Sequence, residues 1–265
     1  MKVANGSIGA RSVLRQVIAG GGEVRLKMYL TALWWGSREP HDIKDVPASA
    51  WAHAFGLDRY STAGAKRVLD ATTWLTDHHL LQSTRKRGAP ASLVLLREDA
   101  SGEPYRRPWA DHPYDKDGKR VIPPEDLYFN IPKEFWMSGW VSVLSGPALM
   151  CLCVHLDATS NWPGNGSVKR AAPDDERWAR LRWYHYTEDE RRDEYTVAED
   201  TWRRGNHELV AWGLVRRRSK WNSGFRTRRQ YFEYQVDLEQ FDRSPLDVTP
   251  KPVRVSMAGG GGASK

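Results

Sequence analysis

The stretch Tyr195–Trp221 decides the fold prediction and reads YTVAEDTWRRGNHELVAWGLVRRRSKW. Thr196 is expected to cap a helix that runs to Trp212, because a hydroxyl before the first turn can accept a hydrogen bond from a free backbone N–H. Gly213 supplies the left-handed residue that commonly ends a helix. At helical spacing, the apolar positions that face the core are Trp202, Leu209 and Val210.

The chain on either side of this helix completes a second block, residues 127–240. The segments Leu214–Trp221 and Thr227–Leu238 are expected to pair as a hairpin around the turn 222–224. Upstream, Ser145 can cap a strongly apolar helix over Pro147–Ala158, and an intermediate helix is expected between residues 173 and 195. The predicted order is three helices followed by a two-stranded hairpin.

A first block, residues 23–98, has the same predicted order. A shift of 134 residues places Thr62 on Thr196 and Leu75 on Leu209 without a gap, so the third helix and the first strand recur. The tip Arg85–Gly88 separates the two expected strands. This block is expected to contain helices at 24–35, 47–55 and 62–76 and strands at 80–84 and 92–96.

The remaining segments are rich in glycine, proline or aspartate. We expect residues 1–22 to form a flexible arm, 99–126 a linker between two self-contained domains, and 241–265 a disordered tail. The predicted fold class is therefore α+β, mainly α, with two tandem domains and flexible termini.

Composition and charge indicate the cellular compartment and the kind of partner to expect. The 265 residues include only two cysteines and no apolar run long enough to span a membrane, and we expect no signal peptide and a cytoplasmic location. The net charge of +7 makes a polyanionic partner plausible. That charge is local, because residues 214–229 hold seven basic side chains and no acidic one.

The order of helices and hairpin, the capped helix after Tyr195 and the basic strand that follows Gly213 resemble the winged helix-turn-helix family. The resemblance implies double-stranded DNA as partner, with the third helix of each block in the major groove and the hairpin, or wing, beside the phosphates. The DNA-binding residues that it implies are Thr62, Lys66, Arg67, Arg85, Lys86 and Arg87 in the first block, and Thr201, Arg203, Arg204, His207, Arg216, Arg217, Arg218, Lys220, Arg226, Arg228 and Arg229 in the second.

Several functions remain open at this point. A transcription regulator is the first expectation, a plasmid- or phage-type replication initiator is the alternative, and a protein-interaction adaptor is an alternative of another class. The first block could mediate homodimer formation instead of binding DNA. The sequence contains no phosphate-binding loop, dinucleotide-binding glycine motif or nucleophile elbow, so we expect no enzymatic activity and no cofactor, metal or small-molecule ligand. Trp221 is the one tryptophan whose predicted position, at the wing tip, suits stacking on a base.

Overall fold

The computed structural model describes residues 22–57, 62–85, 87–106, 130–161, 197–222 and 229–251, with positions 17, 113, 116, 183–185, 187 and 195 besides. The predicted arm, the second half of the linker, the intermediate helix and the end of the tail lie mostly outside these residues. The described part is mixed α+β with more helix than strand, which confirms the predicted class.

The first block forms three helices and a small antiparallel sheet. The elements are α1 Glu23–Gly36, β1 Asp42–Ile43, α2 Ala48–Ala54, α3 Thr62–Asp77, β2 Leu81–Thr84 and β3 Ser92–Leu95. The two-residue strand β1, which the sequence pattern did not indicate, adds to the expected hairpin and gives the order β1-β3-β2. In this sheet Leu81 lies opposite Leu95, and Ile43 opposite Leu93.

The second block carries two short helices, two long ones and a longer hairpin. The strands of the hairpin pair antiparallel from Val215 opposite Val236 to Asn222 opposite Arg229. The elements are α4 Glu134–Met137, α5 Trp140–Val143, α6 Gly146–Asn161, α7 Glu199–Ala211, β4 Val215–Asn222 and β5 Arg229–Val236, followed by 3-10 turns at Leu238–Asp242 and Pro245–Asp247.

The shift of 134 residues that relates the two blocks superposes the ends of corresponding elements. It moves the last residue of α3, Asp77, onto the last residue of α7, Ala211, and the first residue of β2 onto the first of β4. Between helix and strand, His79 has φ 56° and its counterpart Gly213 has φ 75°. Both α3 and α7 are therefore followed by a left-handed residue, although only α7 is followed by a glycine.

The helix starts correspond less well. Thr62 is the first residue of α3, whereas α7 begins at Glu199 after Ala198, two residues later than a helix capped by Thr196 would begin. Thr196 lies outside the described residues. The extended backbone of Ala198, with ψ 145°, marks the helix start without a side-chain cap.

Among the described residues the two blocks share one hydrophobic core, where the sequence predicted two self-contained domains. A continuous buried cluster runs from α1 to α6, α7 and the second hairpin. The Trp34 ring stacks on Trp136 with centroids 4.8 Å apart, and a Cβ on Gly146 would lie 3.2 Å from the Glu23 side chain. Residues of one block thus complete the packing of the other.

The predicted flexible segments also contribute to the ordered structure. Val17, placed in the arm, is fully buried, and Tyr105, placed in the linker, donates its N–H to the Leu95 carbonyl. Phe241, placed in the disordered tail, is completely buried, and Lys251 N donates to Ala211 O at 2.8 Å. Long-range contacts thus bring residues of these segments, whose local propensity is weak, into the packed structure.

Some large apolar side chains lie at the surface. Leu69 of α3 is 44% exposed, and Trp34 stacks on Trp136 at the surface. Within the described ranges, no helix combines the length and the apolar character required to cross a membrane.

Candidate nucleic-acid interface

Helix α7 lies with its backbone directly against α6. A Cβ on Gly205 would come within 2.4 Å of the Pro147 carbonyl oxygen and 2.5 Å of Cys151 Sγ, so only glycine permits this approach. Trp202 and Leu209, predicted to face the core, are buried on the same side. The close contact determines which face of α7 remains outside.

A buried hydrogen-bond network fixes the rotation of α7 about its axis. His155 Nε2 donates to Asn206 Oδ1 at 2.6 Å, and Asn206 Nδ2 donates to the Trp202 carbonyl at 2.9 Å. The Tyr184 hydroxyl donates to His155 Nδ1, so a neutral imidazole satisfies both partners. Burial lowers the pKa of His155 to about 4, in keeping with this neutral form.

The C-terminal half of α7 is held at two further points. The Glu208 carboxylate accepts hydrogen bonds from the backbone N–H of Ser145, at 2.8 Å, and from the Ser145 hydroxyl. At the end of the helix, Gln240 Nε2 donates to the Trp212 carbonyl at 2.9 Å. The helix is thus positioned by α6 and by the segment after the hairpin.

The outward face of α7 carries the predicted base-reading side chains. Arg203, Arg204 and His207 are exposed, and Thr201 is half-buried. Asp200 binds both arginines, with Arg203 Nη2 at 2.7 Å and Arg204 Nε at 2.8 Å. The hydrogen bond from Arg203, assisted by Arg204, lowers the pKa of the Asp200 carboxyl.

The hairpin that follows α7 bears cations that are ion-paired across its strands. Arg216 contacts Asp237 at 2.5 Å. Arg218 and Lys220 share the carboxylate of Glu233, at 2.6 and 3.1 Å. Burial alone would raise the pKa of Glu233, but the hydrogen bonds and charges of these two cations lower it. The basic run predicted from residues 214–229 is therefore partly neutralised by acidic residues of β5 and the residue after it.

The residues predicted in the first block lie on α3 and at the tip of its hairpin. Thr62, Lys66 and Arg67 are exposed on α3, and Arg85 and Arg87 are exposed beyond β2. The two predicted sets thus occupy corresponding elements of the two blocks. Lys86, Arg226 and Arg228 lie outside the described residues, and Arg229 is described only as the first residue of β5.

Sequence reasoning missed the acidic partners of these cations. Asp200 precedes Arg203 and Arg204 by three and four residues, which is the spacing of ion pairs along a helix and could have indicated them. Glu233 lies directly opposite Arg218 in the strand register, so it could be found only once the pairing was known.

No protein-family model matches the chain, and no curated protein and no solved structure matches it either. In the described ranges, no group of three histidine, cysteine, aspartate or glutamate side chains is placed to hold a metal ion.

Proposed function

We propose that this chain is a non-enzymatic, sequence-specific binding protein for double-stranded DNA, built from two tandem winged helices. The observation that carries the proposal is the outward face of α7, where Arg203, Arg204 and His207 are exposed beside the cationic hairpin. An α-helix fits the major groove of B-DNA, and arginine is the side chain most often used to recognise guanine there. The rigid attachment of α7 to α6 supports this role, because base readout requires a fixed helix.

The hairpin has the second role in this proposal. Arg216, Arg218 and Lys220 are long cationic side chains on one face of β4, next to the end of α7. Cations beside a helix in the major groove can contact phosphates and supply the sequence-independent part of the affinity. A transcription regulator is the first candidate among the biological roles, and a replication initiator is the alternative.

A protein-interaction adaptor is a candidate of another class, and one observation favours it. Trp34 stacks on Trp136 at the surface, and the next residue in the chain, Met137, is 72% exposed. An exposed apolar patch of this kind is typical of protein-interaction sites. An adaptor would show no preference among duplex sequences.

Selection of bound duplexes from a random pool tests the proposal. The expected result is an enriched motif that contains at least one guanine. Arg203→Ala and Arg204→Ala should each be analysed, and at least one should relax a single motif position, since a bidentate arginine–guanine pair contributes roughly 1–3 kcal/mol. Lys66→Ala, analysed in the same way, removes a cation from α3, the corresponding helix of the first block. A pool without enrichment would contradict the proposal and favour the adaptor.

A further inference from the structure

The two faces of the second hairpin differ in chemistry. Side chains opposite each other in an antiparallel pair lie on the same face, and faces alternate along each strand. The register therefore gives a charged face and an aromatic face. The charged face includes Arg216, Arg218, Lys220, Tyr231 and Glu233; the aromatic face includes Arg217, Ser219, Trp221, Gln230 and Phe232.

The aromatic face exposes its rings to solvent. The Trp221 side chain is 56% exposed and that of Phe232 is 37% exposed. The Arg217 guanidinium lies over the Phe232 ring, 4.7 Å from its centroid. Between the rings, Gln230 Nε2 donates to Ser219 Oγ at 2.6 Å. One surface thus combines two partly exposed rings with a cation.

The Trp221 ring is distant from the hydrophobic core. On the same face, Val215, Tyr234 and Val236 are buried at the base of the hairpin. Trp221 lies six residues beyond Val215, roughly 20 Å further along the strand at the usual rise per residue. Core packing therefore does not account for Trp221 at the distal end.

The chemistry of this surface selects among ligands. Flat exposed rings stack on the faces of nucleobases, and neighbouring cations attract the phosphates that accompany them. A fully paired duplex hides its base faces inside the stack, so the rings can meet bases only where the strands are separated. A purely apolar ligand would make no use of Arg217 or of the charged face behind it.

We propose that the aromatic face of the second hairpin binds unpaired nucleobases of a DNA strand by stacking on Trp221 and Phe232. The inference rests on the proposed function, because the same hairpin is placed beside DNA by α7. It extends that function from duplex recognition to contact with locally opened DNA, which suits the replication initiator better than the regulator.

The test compares three DNA ligands: a duplex carrying the selected motif, the same duplex with a central unpaired loop, and the single strand alone. The full-length protein is titrated with each, and Trp221→Ala and Phe232→Ala are titrated alongside. Trp221→Ala should weaken binding to the looped duplex and to the single strand at least about fivefold, the lower end for loss of one stacked base. Affinity for the closed duplex should stay unchanged.

Two further variants separate stacking from folding. Trp221→Phe retains a ring and should restore most of the affinity for the looped duplex. Tyr231→Ala removes an aromatic side chain from the charged face of the same hairpin and should behave as wild type with the single strand. Circular dichroism of each variant is the measurement that checks whether the fold is retained.

The outcomes distinguish this inference from the proposed function. Equal affinity of wild type and Trp221→Ala for the looped duplex and the single strand would overturn the inference and leave duplex binding intact. Binding to the single strand that depends on Trp221, without any binding to closed duplexes, would support the inference and overturn the proposed function. An equal loss on all three ligands would overturn the inference, since it would make Trp221 a general contact.

Discussion

Lys27 Nζ donates a hydrogen bond to the Ser142 carbonyl oxygen at 3.3 Å, which joins α1 to α5 across 115 residues of chain. The same ammonium donates to the Phe55 carbonyl at 3.1 Å and pairs with Glu23 at 3.0 Å. Its three donors are thus all used although the side chain is almost completely buried. A single lysine links both halves of the molecule at their shared core.

Replacement of Lys27 by methionine should destabilise the protein. The change keeps most of the side-chain volume but leaves the Phe55 and Ser142 carbonyls without a donor, at a cost of about 1–3 kcal/mol in the free energy of unfolding. Urea denaturation followed by circular dichroism measures this cost. Lys44→Met is the control, because Lys44 is exposed and its ion pair with Asp42 lies at the surface. An unchanged urea midpoint for Lys27→Met would contradict the assigned role.

The shared core should hold the two halves together after the chain is cut. A protease site inserted after Lys116 would divide the chain between the blocks. We expect the cleaved protein to elute from a size-exclusion column as one particle containing both fragments, because Phe135 and Trp140 of the second half belong to the same buried cluster as α1. Separate elution of two folded fragments would restore the sequence-based prediction of independent domains.

Acidification should destabilise the protein through His155. Because burial lowers the pKa of His155 from 6.5 to about 4, protons bind the unfolded chain preferentially in this range. The contribution of neutral His155 to the free energy of unfolding is complete above pH 6.5 and is lost as the pH falls towards 4. The loss in the free energy of unfolding is at most about 3 kcal/mol. Urea midpoints measured at several pH values should fall less steeply for His155→Gln than for wild type. Parallel curves would argue against a neutral buried imidazole.

Asp200→Asn should strengthen binding to duplex DNA if the proposed function is right. The variant removes an anion from the outward face of α7 and releases Arg203 and Arg204 from their ion pairs. Affinity should rise and depend more steeply on salt, since more cations become available to the phosphates. Asp247→Asn is the control. It changes the net charge by the same amount, but on the 3-10 turn Pro245–Asp247, and should have little effect on the affinity for DNA. Weaker binding by Asp200→Asn would indicate that the carboxylate orients the arginines productively.

The double variant Arg216→Ala, Arg218→Ala should weaken binding to all duplex sequences alike. Each lost phosphate contact should reduce the slope of log affinity against log salt by about 0.9. The control is the double variant Arg38→Ala, Lys44→Ala, which removes the same amount of charge away from the hairpin. Arg38 lies in the exposed turn after α1, and Lys44 is the residue after β1. Binding titrations over a series of salt concentrations compare the two. Equal slopes in the two double variants would exclude the hairpin as a phosphate contact.

Local signals in the sequence were sufficient for the repeated elements. The helical spacing of Trp202 and Leu209, the left-handed Gly213 and the alternating strands that follow are properties of a few adjacent residues. They predicted α3, α7 and both hairpins with errors of at most a few residues, and they predicted the exposure of Arg203 and Arg204. Such elements depend on local backbone geometry and on burial of one face, both of which a short segment encodes.

Only the tertiary structure decided how these elements combine. The burial of Phe241, the contact of Gly205 with Pro147 and the placement of Glu233 opposite Arg218 each join residues distant in sequence. No local pattern records these contacts, because their energy depends on which surfaces meet after the chain has folded. The sequence alone therefore determined the exposed cations and the position of Trp221 at the end of its strand, whereas long-range packing determined the shared core, the acidic partners of those cations and the face of the hairpin that remains aromatic.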